Sequence, residues 1–319
     1  MSTEGNKVTS AVEWEDIPAE KFQIIGTDDF SADVIARPKI GYWADAWRRL
    51  KENKIALIAL IVLLILVFMV TFGPMISGYS FEQIDTEAIN QRPSAEHWFG
   101  TDSLGRDLFA RVWQGGRVSI IIGIVGAVMA SVLGCIYGGI ASYFGGIVDD
   151  IMMRIVEVLL SIPYLIIVIL ISVVTDSKSM GTMMLALTLT GWCGIARLVR
   201  GQMLQIKTQE YVLAANALGV SPLKTIMRHM IPNTIGIIIV AITFDIPGYI
   251  FSEAFLSYIG LGIQPPNTSW GALASAAQQN FMFYPYQLFF PSIMIALTML
   301  SFTLLGDGLR DALDPKLRK

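Results

Sequence analysis

Apolar runs of about 20 residues, the length a helix needs to cross a hydrocarbon core, divide this chain six times: 55–74, 118–141, 155–175, 181–200, 234–255 and 287–306. The pattern predicts an all-α, polytopic membrane protein with six transmembrane helices, its six-span domain covering 55–306. Runs three and four lie only a few residues apart, so they form a tight hairpin. Pro163 in run three and Pro247-Gly248 in run five predict a kink and a kink or break, because proline lacks the N–H that the helix needs. Before the first run, residues 38–54 interleave Tyr42, Trp43, Trp47 and Leu50 with Arg48, Arg49, Lys51 and Lys54. That suits an amphipathic helix on the membrane surface, and equally a basic flank with aromatic anchors. Residues 1–37 form a loosely attached acidic arm, in which residues 1–36 carry Glu4, Glu13, Glu15, Asp16, Glu20, Asp28, Asp29 and Asp33 against Lys7 and Lys21. Residues 307–319 form a C-terminal tail.

Two polar or small-residue patterns stand out. Run two carries Gly126, Ala130, Gly134, Gly138 and Ser142 at four-residue spacing, one helix face on which a second helix can pack closely. Between runs four and five, residues 202–233 predict a bracket. Glu210 to Leu218 forms a short helix with Ala214 and Ala215 as a small face open to a partner's backbone. Gly219 takes positive φ and ends it. Ser221 caps a second helix with Pro222 at its first position, and Pro232 stops that helix.

The chain is 54% hydrophobic and 15% charged, with net charge −3. This suits a polytopic membrane protein and argues against general nucleic-acid binding. Lysine and arginine set the orientation. With the N-terminus inside, Lys39, Arg48, Arg49, Lys51, Lys54, Arg154, Arg197, Arg200, Lys207, Lys224, Arg228, Arg310, Lys316, Arg318 and Lys319 face the cytoplasm, while 256–286 has none and lies outside. The 75–117 loop, with Arg92, Arg106, Arg111 and Arg117, is the exception; Arg106 and Asp107 pair locally. Both termini are expected in the cytoplasm. No cleavable signal sequence is expected, since the first apolar run starts near Ile55.

Candidate chemistry is sparse. No nucleotide-binding loop and no hydrolase motif occurs, so active transport would draw on a partner or an ion gradient. Only two histidines are present, and Cys135 and Cys193 both lie in apolar spans, so no metal site or disulfide is expected. Charges inside spans are costly and informative. Arg154 and Glu157 can pair along one helix, or gate. Asp245 can line a translocation path or satisfy groups freed by Pro247. Glu253 fits a pocket or an interfacial cap.

Ala214, Ala215, Gly219 and Pro232 resemble the coupling-helix motif (the EAA loop) of ABC-transporter permeases. Leu213 stands at the motif's glutamate, with Glu210 one turn earlier, and His229 at its hydrophobic position. Phe99-Gly100-Thr101-Asp102, Gly260-Leu261-Gly262 and Gly306-Asp307-Gly308-Leu309-Arg310-Asp311-Ala312-Leu313-Asp314-Pro315 narrow the resemblance to the second permease subunit of oligopeptide/dipeptide importers, the OppC/DppC type, over residues 38–319. Tyr258-Ile259 departs from that pattern.

The resemblance implies a type I ABC-importer permease fold in a bacterial inner membrane. It implies a homologous second permease subunit, two cytoplasmic ABC ATPases that bind ATP and Mg, and an extracellular peptide-binding protein. The chain itself would be non-catalytic and hold no cofactor. Glu210, Tyr211, Ala214, Ala215, Asn216, Gly219 and Pro232 would form the ATPase-coupling surface. Dipeptides or nickel are alternative cargoes. An ion-coupled secondary transporter using Asp245 and Glu253, or a membrane scaffold that only recruits a soluble partner, are readings of other classes.

Overall fold

The computed structural model describes residues 41–177 and 179–314. The acidic arm 1–37, Lys39 and the C-terminal Lys316, Arg318 and Lys319 lie outside the described residues. Within them regular structure is helical, and the one extended pairing is an isolated bridge between Thr101 and Asp107.

The helices are α1 Tyr42–Glu52, α2 Lys54–Ile76, α3 Leu108–Phe144, α4 Gly146–Ser161, α5 Tyr164–Thr175, α6 Met180–Lys207, α7 Glu210–Ala217, α8 Pro222–Thr225, α9 Ile231–Tyr258, α10 Trp270–Gln278 and α11 Pro285–Leu313. Five are long and apolar enough to span a bilayer: α2, α3, α6, α9 together with α8, and α11. The sixth span is a bent pair. α4 and α5 meet at 83° around Ile162-Pro163. The expected single span 155–175 with a kink is therefore two helices. Pro163 supplies no N–H and forces the residue before it out of the helical region, and Ile162 sits at φ −86°, ψ 122°.

Two helices outrun their apolar cores. α3 has 37 residues, roughly 55 Å against a hydrocarbon thickness of roughly 30 Å. It starts at Leu108, well before 118, because the Asp107 side chain accepts from the Ala110 N–H at 2.8 Å and caps it. α11 continues to Leu313, so residues 307–313 extend the last span. There Ala312 packs with Leu50 and Ala56.

α3 is the central element. A side-chain carbon at Gly126 would run into Tyr249 of α9, one at Gly134 into Ile195, and one at Gly138 into the Ala196 carbonyl of α6. The small-residue face thus brings α3 against the backbone of α6. At one end of the bundle α1 lies against α11, its Tyr42 hydroxyl donating to the Leu313 carbonyl at 3.4 Å. Trp43 and Trp47 stay exposed.

A compact cap closes the other end. The Tyr286 hydroxyl donates to the Gln91 carbonyl at 2.8 Å, and Gln287 Nε2 to the Thr101 carbonyl at 2.9 Å. Arg106 pairs with Asp102 at 2.8 Å, not with its neighbour Asp107. Asp107 is occupied as the α3 cap and by His97 Nδ1 at 3.0 Å.

Candidate functional site

The polar bracket between α6 and α9 is built on a fixed root. Lys207, at the end of α6, donates through Nζ to the Ser142 and Tyr143 carbonyls at 3.2 and 2.6 Å. These are unsatisfied carbonyls at the C-terminus of α3, where a cation is favoured. α7 then turns its Val212 and Ala215 inward, both buried. Gly219, at φ +75°, ends it. The Val220 N–H reaches the Ala215 carbonyl at 3.1 Å and the Gly219 N–H reaches the Asn216 carbonyl at 3.0 Å, the two bonds of a Schellman cap. The Asn216 side-chain carbonyl accepts from the Tyr143 hydroxyl at 3.3 Å and the Thr225 hydroxyl at 3.5 Å, tying α7 to α3 and α8.

The expected alanine face divides. Successive helical residues point about 100° apart, so Ala215 packs inward while Ala214 faces out beside Tyr211 and Leu213. The outward surface is apolar rather than small: Leu218 is 84% and Leu223 68% exposed. Glu210 is exposed in the first turn of α7, where a carboxylate suits the helix dipole.

Ser221 stands at the α8 N-cap position without a side-chain cap bond, and Pro222 follows it. Pro232 does not stop the second helix. It occupies the first turn of α9, and the helix runs on through it. A π-helical stretch, Ile226–Met230, precedes it, with the Ile231 N–H bonded to the Ile226 carbonyl. The wider register absorbs a ring that an α-helix would push against the carbonyl four residues back. The Asn233 side chain donates to the His229 carbonyl at 2.6 Å.

The span charges occupy separate places. Asp245 lines a cavity of about 290 Å³ with Tyr164, Leu187, Thr190, Gly191, Tyr249 and Ser252. Of the expected kink or break at Pro247-Gly248, the break is absent: α9 is continuous from Ile231 to Tyr258. Asp245 makes no hydrogen bond or ion pair among the described residues.

Glu253 does not share that cavity. It is fully buried where α3, α9 and α10 meet. It accepts from the Ser119 hydroxyl at 2.7 Å and the Ser257 hydroxyl at 2.8 Å, while Ser119 accepts from the Trp270 N–H at 3.2 Å. Arg154 and Glu157 pair at 2.7 Å on an exposed face of α4. They border a cleft of about 600 Å³ with Asp150, Arg197 and Arg200.

Several members were missed from sequence. Tyr249 and Ser252 lie four and seven residues beyond Asp245, a helical spacing that would have found them. The bidentate Asp149–Arg200 pair joins α4 to α6 and has no local signature.

The arrangement of bent third span, bracket and long central helix has relatives. The profile of the binding-protein-dependent transport system inner membrane component matches residues 130–319, and that of the N-terminal TM domain of oligopeptide transport permease C matches 41–93. The chain is 48% identical to the dipeptide transport system permease protein DppC of Bacillus subtilis, over 95% of each chain. It belongs to the binding-protein-dependent ABC-importer permeases. The oligopeptide transport system permease protein OppC of the same organism is 45% identical, over 96% of this permease and all of that one. A glutathione transport system permease protein, GsiD of Escherichia coli, is 37% identical over 86% and 91%. The permease also shares its fold with a chain of the MetNI methionine ABC transporter in an inward-facing conformation, at a TM-score of 0.52 and 19% identity, over 65% of this chain and 96% of that one. The permease is thus a multi-pass membrane protein with the type I importer fold.

Proposed function

We propose that this permease is one of two non-catalytic transmembrane subunits of an ATP-driven importer of dipeptides and oligopeptides. A homologous permease supplies the other half of the path. Two cytoplasmic ATPases bind ATP and Mg, and an extracellular binding protein delivers peptide. Both termini lie in the cytoplasm of a bacterial cell.

The observation that carries this reading is the bracket. Leu218, Leu223, Tyr211 and Leu213 are exposed on a segment that Lys207, Lys224 and Arg228 flank in sequence. An exposed apolar cluster in water marks a docking surface. Its rigid root through Lys207, Tyr143 and Asn216 lets a push on α7 reach α3 and α6 without being absorbed. Closure of the ATPases on ATP would press on α7 and rock α3, α6 and α9 as one packed body, exposing the path to the outside. The relatives named for dipeptide and oligopeptide transport support the cargo.

The test is co-reconstitution with the three partner subunits in proteoliposomes. ATP hydrolysis stimulated by loaded binding protein, together with ATP-dependent peptide accumulation that survives an uncoupler, is the expected result. Accumulation that follows an imposed proton or sodium gradient without ATP overturns it.

A further inference from the structure

Resting on that reading, we propose that the Asp245 cavity holds the α-ammonium group of the peptide in transit. A carboxylate within a membrane span is costly unless something cationic meets it, and Asp245 meets nothing among the described residues. The cavity around it is built for a donor-rich cation. Four hydroxyl-bearing residues, Thr190, Ser252, Tyr164 and Tyr249, line it, and no lysine or arginine does.

Tyr249 is the second observation. It is nine-tenths buried, and its hydroxyl has no hydrogen-bond partner among the described residues. That hydroxyl fills the space a side chain at residue 191 would take, so Gly191 is what allows it to lie beside the cavity. A buried orphan hydroxyl beside an unpaired carboxylate defines two adjacent acceptors. A primary ammonium has three N–H donors to match a carboxylate oxygen, a phenol oxygen and a neighbouring hydroxyl. The opposite end of a peptide, a carboxylate, would find no cation here. At about 290 Å³ the cavity takes a terminal residue rather than a whole oligopeptide, so one site would serve peptides of different length.

The test uses the assembled complex in nanodiscs, in a background with Cys135 and Cys193 replaced by alanine and Ser252→Cys as reporter. Cationic and anionic methanethiosulfonates of similar size are compared. With Asp245 present the cationic reagent is favoured, and Asp245→Asn lowers the cation-to-anion rate ratio by about tenfold. Asp245→Glu restores it, which separates a charge effect from misfolding. Millimolar Ala-Phe protects the reporter thiol in the Asp245 protein and not in Asp245→Asn, and Tyr249→Phe weakens protection several-fold. Propionyl-Phe, which lacks the ammonium, does not protect.

An unchanged rate ratio means that a residue of the second permease or a proton already neutralises Asp245, and overturns the proposal. Equal protection by propionyl-Phe, or protection by sodium or ethanolamine as strong as by Ala-Phe, overturns it too. Failure of the wild-type complex to import any peptide would refute the importer reading instead, and is measured separately as ATP-driven uptake.

Discussion

Gly219 isolates one physical variable, the handedness of a single backbone turn. Its φ is +75°, and a side-chain carbon built there meets nothing within 4 Å. Substitution therefore causes no clash with the core, only conformational strain. An L-residue in the left-handed region costs about 1–2 kcal/mol, with β-branched residues at the upper end and asparagine only a few tenths. If the turn relaxes instead, it gives up the Gly219–Asn216 and Val220–Ala215 bonds, each worth about 1 kcal/mol. Either route lowers the population of the docking-competent bracket by roughly 5- to 30-fold. Stimulated ATP hydrolysis and peptide uptake should fall in the order Gly219 ≥ Gly219→Asn > Gly219→Ala > Gly219→Val, while the thermal unfolding midpoint of the permease stays within error. Equal activity of Gly219→Val and wild type, or loss in Gly219→Asn as deep as in Gly219→Val, would refute the claim that the turn's handedness sets coupling.

Gly138→Val acts oppositely, through packing: its side chain meets the Ala196 carbonyl, so stability should drop by about 1–3 kcal/mol, seen as a lower thermal midpoint in nanodiscs; an unchanged midpoint would mean that α3 and α6 separate without cost. Glu253→Ala takes away the carboxylate that accepts from the buried Ser119 and Ser257 hydroxyls, and should destabilise by about 1–3 kcal/mol with Glu253→Gln less affected; a loss of transport at full stability would instead place Glu253 on the path. Cysteines at Leu218 and Met282, 84% and 86% exposed, should label from opposite sides of the membrane in a background lacking Cys135 and Cys193, and labelling of both by an impermeant reagent in intact cells would overturn the topology.

What the chain determined by itself was whatever acts over one or two helical turns. Runs of about 20 apolar residues suffice to place spans because backbone polar groups in lipid must bond within their own helix. A glycine between two short helical stretches announced the left-handed turn at 219, since other residues pay strain there. The four-residue spacing of Gly126, Ala130, Gly134 and Gly138 announced a close helix contact, though not with which helix.

Tertiary structure decided what depends on partners far along the chain. Pro163 and Pro247 carry the same local signal, yet one parts α4 from α5 by 83° and the other leaves α9 intact. α9 is packed along its length against α3 and α11, so bending it would give up burial that α4 and α5 do not have. Pro232 likewise entered a helix because a π-helical stretch made room for it. The charges sorted by neighbours too. Glu253 found its hydroxyl at Ser119, 134 residues away, and Arg200 its carboxylate at Asp149. Asp245 was left facing a cavity. Hydrogen bonds and ion pairs act over a few ångströms in space whatever the separation in sequence, so only the folded chain could say which of these costly groups is satisfied and which still awaits a partner.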